Sequence, residues 1–255
     1  MIIFTIIILG LGLTTGFIAG FLGFGGGVLL APALILLAPI MTGNVLSLEQ
    51  ITGITATQGL VGSISSWYFH RQHTQNVKFG CTIGVPMGLG AMTSSCFILQ
   101  LGELWILTTF TLMLSFALIT SITVPSFIEY NESNNSLLFS TSLCIGLLNG
   151  VIGQGGAFFF IPFFAYIIGL PIRQVVSSAG IIGTFSVSSS LMPRLFCDLI
   201  PWLWVMIITP AVILGSYIGT HLHHKVSDQK LRWSITFFLG LSLIQLINKM
   251  KGLLF

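Results

Sequence analysis

No Asp, Glu, Lys or Arg occurs before Glu49, and the stretches 50–69, 79–102, 104–128, 133–172, 174–193 and 199–220 carry none either. A helix that crosses the hydrocarbon core of a bilayer needs about 20 predominantly apolar residues. Uncharged runs of this length and number therefore describe a polytopic, all-α membrane protein with short loops and no room for a soluble catalytic domain. Composition agrees: 54% of residues are hydrophobic and 6% charged, where about a quarter are charged in a soluble domain. The formal net charge of +3 sits in loops and bears on orientation rather than on a nucleic-acid partner. The start, Met-Ile-Ile-Phe-Thr, lacks the basic region and small-residue cleavage site of a signal peptide, so it reads as a retained first helix.

Within the apolar runs one stretch breaks the pattern. Residues 20–32 read GFLGFGGGVLLAP, and residues 150–162 read GVIGQGGAFFFIP. Gly20, Gly23, Gly25, Gly26 and Pro32 reappear without a gap as Gly150, Gly153, Gly155, Gly156 and Pro162. Each glycine costs a helix roughly 1 kcal/mol relative to alanine, so three in succession open it and free backbone N–H and C=O groups. In a bilayer that is tolerated only where the opened backbone faces protein or a wet cavity. A doubled, glycine-broken apolar segment is the sequence pointer to a binding site in a secondary transporter.

The chain divides into ten segments: 2–22, 28–41, 48–69, 79–101, 104–127, 137–152, 157–170, 173–192, 199–222 and 232–247. Ser47 and Gln50 have the spacing of a capping box for the third. The fourth and ninth carry small residues four apart, Gly84 and Gly88, then Gly215 and Gly219, which lets helices approach closely in lipid. After a loop deletion the repeat resumes, with Gln50 matching Gln174 and Pro86 matching Pro210. The expected organisation is a first membrane repeat over 1–128, a polar linker at 129–136 and a second repeat over 137–255. Five segments per half is an odd number, so the second repeat is inverted and the two glycine-broken pairs meet near mid-membrane. The second and seventh segments are short, which leaves each pair as either a re-entrant hairpin or two crossings, eight to ten segments in all. A continuous first pair would instead give four crossings per half and parallel repeats. In the inverted topology Arg71, Lys78, Arg173, Lys225, Lys230 and Arg232 fall on one side, and Arg194, Lys249 and Lys251 on the other. The first side is then cytoplasmic.

The segments after the breaks start with unpaired N–H groups and about half a positive charge, and two inverted copies would aim both ends at one point, which suits an anion. The expected binding residues are Gly25, Gly26 and Gly27 at the first break, Gln154, Gly155 and Gly156 at the second, with Asn149, Thr55, Gln58, Ser178 and Thr184 as neutral donors nearby. Most serine and threonine hydroxyls in such helices bond back to their own backbone; the amides of Gln58, Asn149 and Gln154 need a partner. Arg194 and Arg173 stand near helix ends, Arg232 opens the tenth segment, and no Arg or Lys lies in the interior of a segment. His70, His73, His221, His223 and His224 flank basic loops and read as headgroup-level residues. Cys81, Cys96, Cys144 and Cys197 show no paired spacing and read as buried free thiols. No metal or cofactor is expected.

The stretches GFIAGFLGFGGGVLLAPAL (16–34) and GLLNGVIGQGGAFFFIPFF (146–164), with the small-residue ends of segments four and nine, resemble the TauE/SafE family, the sulfite exporters. The resemblance covers both repeats. It implies a multi-pass permease of the bacterial inner membrane, not an enzyme. Its substrates would be small sulfur-containing anions such as sulfite, thiosulfate or organosulfonates. Alternating access, a coupling proton or sodium ion, and an oligomer would be in keeping with it. Gln154-Gly-Gly-Ala157 departs from the family's pattern, which makes the two half-sites unequal. Two readings from other classes stand beside it: a metal-cation permease, which needs acidic groups at the breaks, and a membrane-embedded redox protein or enzyme, which needs a close Cys or His set.

Overall fold

The computed structural model describes residues 2–23, 26–42, 46–70, 76–97, 102–123, 135–153, 156–198, 200–223 and 225–254. Gly25, Gln154, Gly155, residues 43–45, most of the linker, Arg71, His73 and His224 lie outside them. The described residues form ten helices and no strand: α1 (Ile2–Leu22), α2 (Gly27–Thr42), α3 (Leu48–His70), α4 (Val77–Ser95), α5 (Glu103–Thr123), α6 (Asn135–Ile152), α7 (Ala157–Pro162, continued by a π-helical turn, Phe163–Ile167), α8 (Ile172–Phe196), α9 (Trp202–His223) and α10 (Asp228–Leu254).

Local chemistry sets the ends. The capping box forms as its spacing predicts: the Gln50 N–H donates to Ser47 Oγ at 3.2 Å, and the Ser47 N–H donates to Gln50 Oε1 at 3.1 Å. Asn76 caps α4 by accepting from the Phe79 N–H at 3.1 Å. The breaks turn on left-handed glycines, Gly23 (φ 74°) and Gly26 (φ 75°) in one half, Gly153 (φ 77°) and Gly156 (φ 61°) in the other. Only glycine enters that region without steric cost.

Packing crosses between the halves. α1 lies along α9 and α6 along α4; α3 crosses α9 as α8 crosses α4; α3 and α8 cross each other, as do α5 and α10. Exchanging the halves maps the first four of these contacts onto one another in pairs and the last two onto themselves. The small residues make the close approaches possible: a Cβ on Gly16 or Gly20 would strike the backbone of Val212 or Ser216, and one on Gly146 or Gly150 the backbone of Met87 or Ala91. These contacts match Met87 with Val212 and Gly90 with Gly215, one residue out of the register drawn from Pro86 and Pro210. Packing faces rather than the prolines fix the alignment of α4 with α9.

Among the described residues five helices are long and apolar enough to cross a membrane: Thr5–Leu22, Leu104–Thr123, Ile172–Phe196, Trp202–His223 and Asp228–Asn248. α5, α9 and α10 leave Trp105, Leu112, Met206 and Phe237 exposed on the outer surface. A water-soluble monomer does not carry so much contiguous apolar surface, whereas lipid covers it. The protein is a multi-pass integral membrane protein. α3 is shielded instead, burying Thr52, Thr55, Thr57, Gln58, Ser63, Ser65 and Ser66 at the centre of the bundle. α2 and α7 form the apolar core, with Val28, Leu30, Leu34, Phe158, Phe160 and Phe164 wholly buried. At the far side Arg232 ties α10 to α5 through the Ser121 carbonyl (2.9 Å) and lies 4.9 Å over the Tyr166 ring.

Candidate binding site at the two helix breaks

At the first break α1 ends at Leu22 and α2 begins at Gly27. A Cβ on Gly26 would overlap the Thr15 carbonyl and sit 2.7 Å from Gln58 Nε2, so α2 starts where α1 and α3 leave room only for glycine. Gln58 is 2% exposed; its Nε2 reaches Thr15 Oγ1 at 3.5 Å, and its Oε1 has no partner among the described residues. The first N–H groups of α2 have no acceptor within the helix, and Gly27 leads them, buried.

At the second break the amide comes from a different helix. Asn149, three residues before the end of α6, is 1% exposed, and neither Oδ1 nor Nδ2 has a partner among the described residues. A Cβ on Gly156 would fall on that amide. Burying an unpaired amide costs on the order of 1–3 kcal/mol, so each break holds a group that a polar ligand would satisfy. Of the other expected donors, Ser178 is buried with its hydroxyl unpaired. Thr55 and Thr184 instead bond back to Thr52 O (3.2 Å) and Gly180 O (2.7 Å) of their own helices.

Beside the second break lies Arg194, which corrects the sequence expectation. Segment eight was drawn to stop at residue 192, before Pro193, but α8 runs through that proline to Phe196 and carries Arg194 inside with no exposed surface. Arg194 Nη2 donates to Gly150 O (3.1 Å) and Val151 O (3.2 Å), Nη1 to Ser190 O (2.6 Å) and Nε to Thr52 Oγ1 (3.4 Å). Its guanidinium carbon is 2.8 Å from where a Gly153 Cβ would be. No carboxylate pairs with it among the described residues; the carbonyl end of α6, with its partial negative charge, faces it instead. Arg194 therefore does not belong with the loop charges that orient the chain.

The sulfite exporter TauE/SafE family model matches residues 8–246. The chain belongs to the TauE/SafE family. A probable membrane transporter protein of Bacillus subtilis (strain 168), YunE, is 21% identical over an aligned length of 255; the match covers 88% of this chain and 90% of that one. No solved structure matches. The family match makes this TauE/SafE protein a membrane transporter, and the resemblance drawn from the glycine blocks is borne out.

Two further residues of this TauE/SafE protein depart from their sequence reading. His70 and His223, taken for headgroup-level residues, are 1% and 6% exposed. They close the end of α1: the His70 Nε2–H donates to Gly20 O at 3.0 Å, and the His223 Nδ1–H to Phe21 O at 2.9 Å. A signal was available, because the register that matches Gln50 with Gln174 also sets His70 against Arg194. The four cysteines are unpaired as expected, but Cys96, Cys144 and Cys197 are exposed rather than buried and Cys81 is half-buried.

Proposed function

We propose that the protein is a permease of small sulfur-containing anions, sulfite, thiosulfate or short organosulfonates, in a bacterial inner membrane. Two inverted repeats hold the substrate between their glycine breaks and present it alternately to either side. The observation that carries this reading is a buried amide against the glycine of each break: Asn149, with neither amide atom paired among the described residues, and Gln58, whose Nε2 has only a long 3.5 Å contact to Thr15 Oγ1. Both supply N–H donors for an oxyanion. The glycines let backbone N–H groups at the starts of α2 and of the helical run Ala157–Ile167 approach it without an intervening Cβ. The proposed site also includes Gly25, Gln154, Gly155 and Ser178. The family's description as sulfite exporters supports the substrate class.

The test is transport in reconstituted vesicles. Gly26→Leu and Gly156→Leu, each shown to be folded by its elution and circular dichroism, are expected to abolish movement of radiolabelled sulfite or thiosulfate. Gly10→Leu is the control, since a Cβ there meets nothing within 4 Å. Undiminished transport by the folded Gly26 and Gly156 variants would refute the proposal.

A further inference from the structure

The same two carbonyls are capped at both breaks, by different chemistry. Gly150 and Val151 receive Arg194. Their repeat equivalents, Gly20 and Phe21, receive His70 and His223. His70 holds in α3 the repeat position that Arg194 holds in α8. The two imidazoles pack edge to face, ring centroids 5.0 Å apart at 81°.

We propose that His70 and His223 together form a proton-binding site, whose bound proton supplies reversibly at the first break the positive charge that Arg194 supplies permanently at the second. The proposal rests on the transport reading above and names its coupling ion. With both imidazoles neutral, each has one N–H, and each N–H is committed to a carbonyl of α1. A proton taken from solvent adds a charge at the carbonyl end of that helix, where about half a negative charge resides. Guanidinium does not titrate in proteins, whereas imidazole does so near neutral pH. A second proton would set two like charges about 5 Å apart in a medium of low dielectric, so the pair holds one.

α1 brings no ionisable side chain, and α9 adds His221 and Tyr217, both exposed. Arg173 of α8 and Asp228 of α10 are ion-paired with each other; Lys225, in the turn between α9 and α10, is exposed. An anion between the breaks then meets a cation at both ends when the pair is protonated and at one end when it is not. Proton and anion therefore favour each other's binding, and by linkage the effect is reciprocal.

Two variants separate charge from hydrogen bonding: His70→Arg copies the other repeat, and His70→Gln keeps an N–H donor that does not titrate. Thiosulfate uptake into vesicles would be measured from about pH 5 to 8, with a trapped pH dye reporting proton movement. Histidine imidazole NMR of the purified protein, without substrate, would follow the pair directly, its signals assigned by their loss in His70→Gln and His223→Gln. In the wild type, uptake should fall by up to about tenfold per pH unit on the basic side of the titration and carry protons with it. Both His70 variants should lose that dependence, and the NMR should show the pair taking up one proton. A wild-type pH profile in His70→Arg would overturn the proposal, as would imidazoles that hold one protonation state throughout the range. If no sulfur anion moves at any pH, the transport reading fails, and the NMR titration by itself still upholds or overturns the proton site.

Discussion

The two breaks share a backbone and differ in nearly every polar group around it. Both end a helix on a left-handed glycine and resume after another, at Gly23 and Gly26 in one half and Gly153 and Gly156 in the other. Yet the first break takes its amide from α3 and its caps from two histidines; the second takes its amide from α6 and its cap from one arginine. Backbone geometry is held by sterics that a single Cβ would violate, so it is the same at both breaks. Charge and hydrogen bonding can be met by any side chain that reaches, so there the halves are free to diverge. A symmetric frame with asymmetric chemistry is what a carrier needs if its two faces are to handle substrate differently.

Substitutions can break that comparison in order of size. Gly26→Ala should cost most, about 3–4 kcal/mol, because a left-handed alanine costs about 1–2 kcal/mol and overpacking against the Thr15 carbonyl adds a further 1–3; thermal unfolding in detergent reads it. Arg194→Met should follow at about 3 kcal/mol, since it removes the donor that the Gly150 and Val151 carbonyls share. Gly156→Ala should cost less than its counterpart, about 2 kcal/mol, because its new methyl meets the Asn149 side chain, which can rotate, rather than backbone. His223→Phe should be the mildest at about 1 kcal/mol, the capping of α1 being shared with His70. Equal costs at Gly26 and Gly156, or at Arg194 and His223, would show that the two breaks are equivalent after all.

Helix positions were legible because membrane helices announce themselves by the absence of charge, and the boundaries at Leu22, Leu48 and Ile152 fall where glycine or a capping box puts them. The breaks were legible because three glycines in an apolar run have no other use. Arg194 was not, because Pro193 reads as a helix stop; in the structure the proline forfeits a single backbone bond and α8 continues one more turn. The histidines were misread for a similar reason. Position in a chain places a polar residue near a helix end, but whether that end is wet depends on which helix lies across it, and α1 covers His70 and His223 both. Among the expected donors, Gln58 and Asn149 stand at the glycines, while Thr55 and Thr184 satisfy themselves locally, a distinction that requires rotamers rather than sequence.

The central claim, that the two breaks are halves of one anion site, is tested most directly by the affinity of thiosulfate or sulfite for purified Gln58→Leu and Asn149→Leu, read by ligand-induced thermal shift against wild type. Leucine removes a buried amide without opening a large cavity, so the folded state should survive each substitution. Each is expected to weaken binding by about tenfold or more, the equivalent of about 1.4 kcal/mol for one lost contact to the anion. Wild-type affinity in either folded variant would contradict a site shared between the breaks.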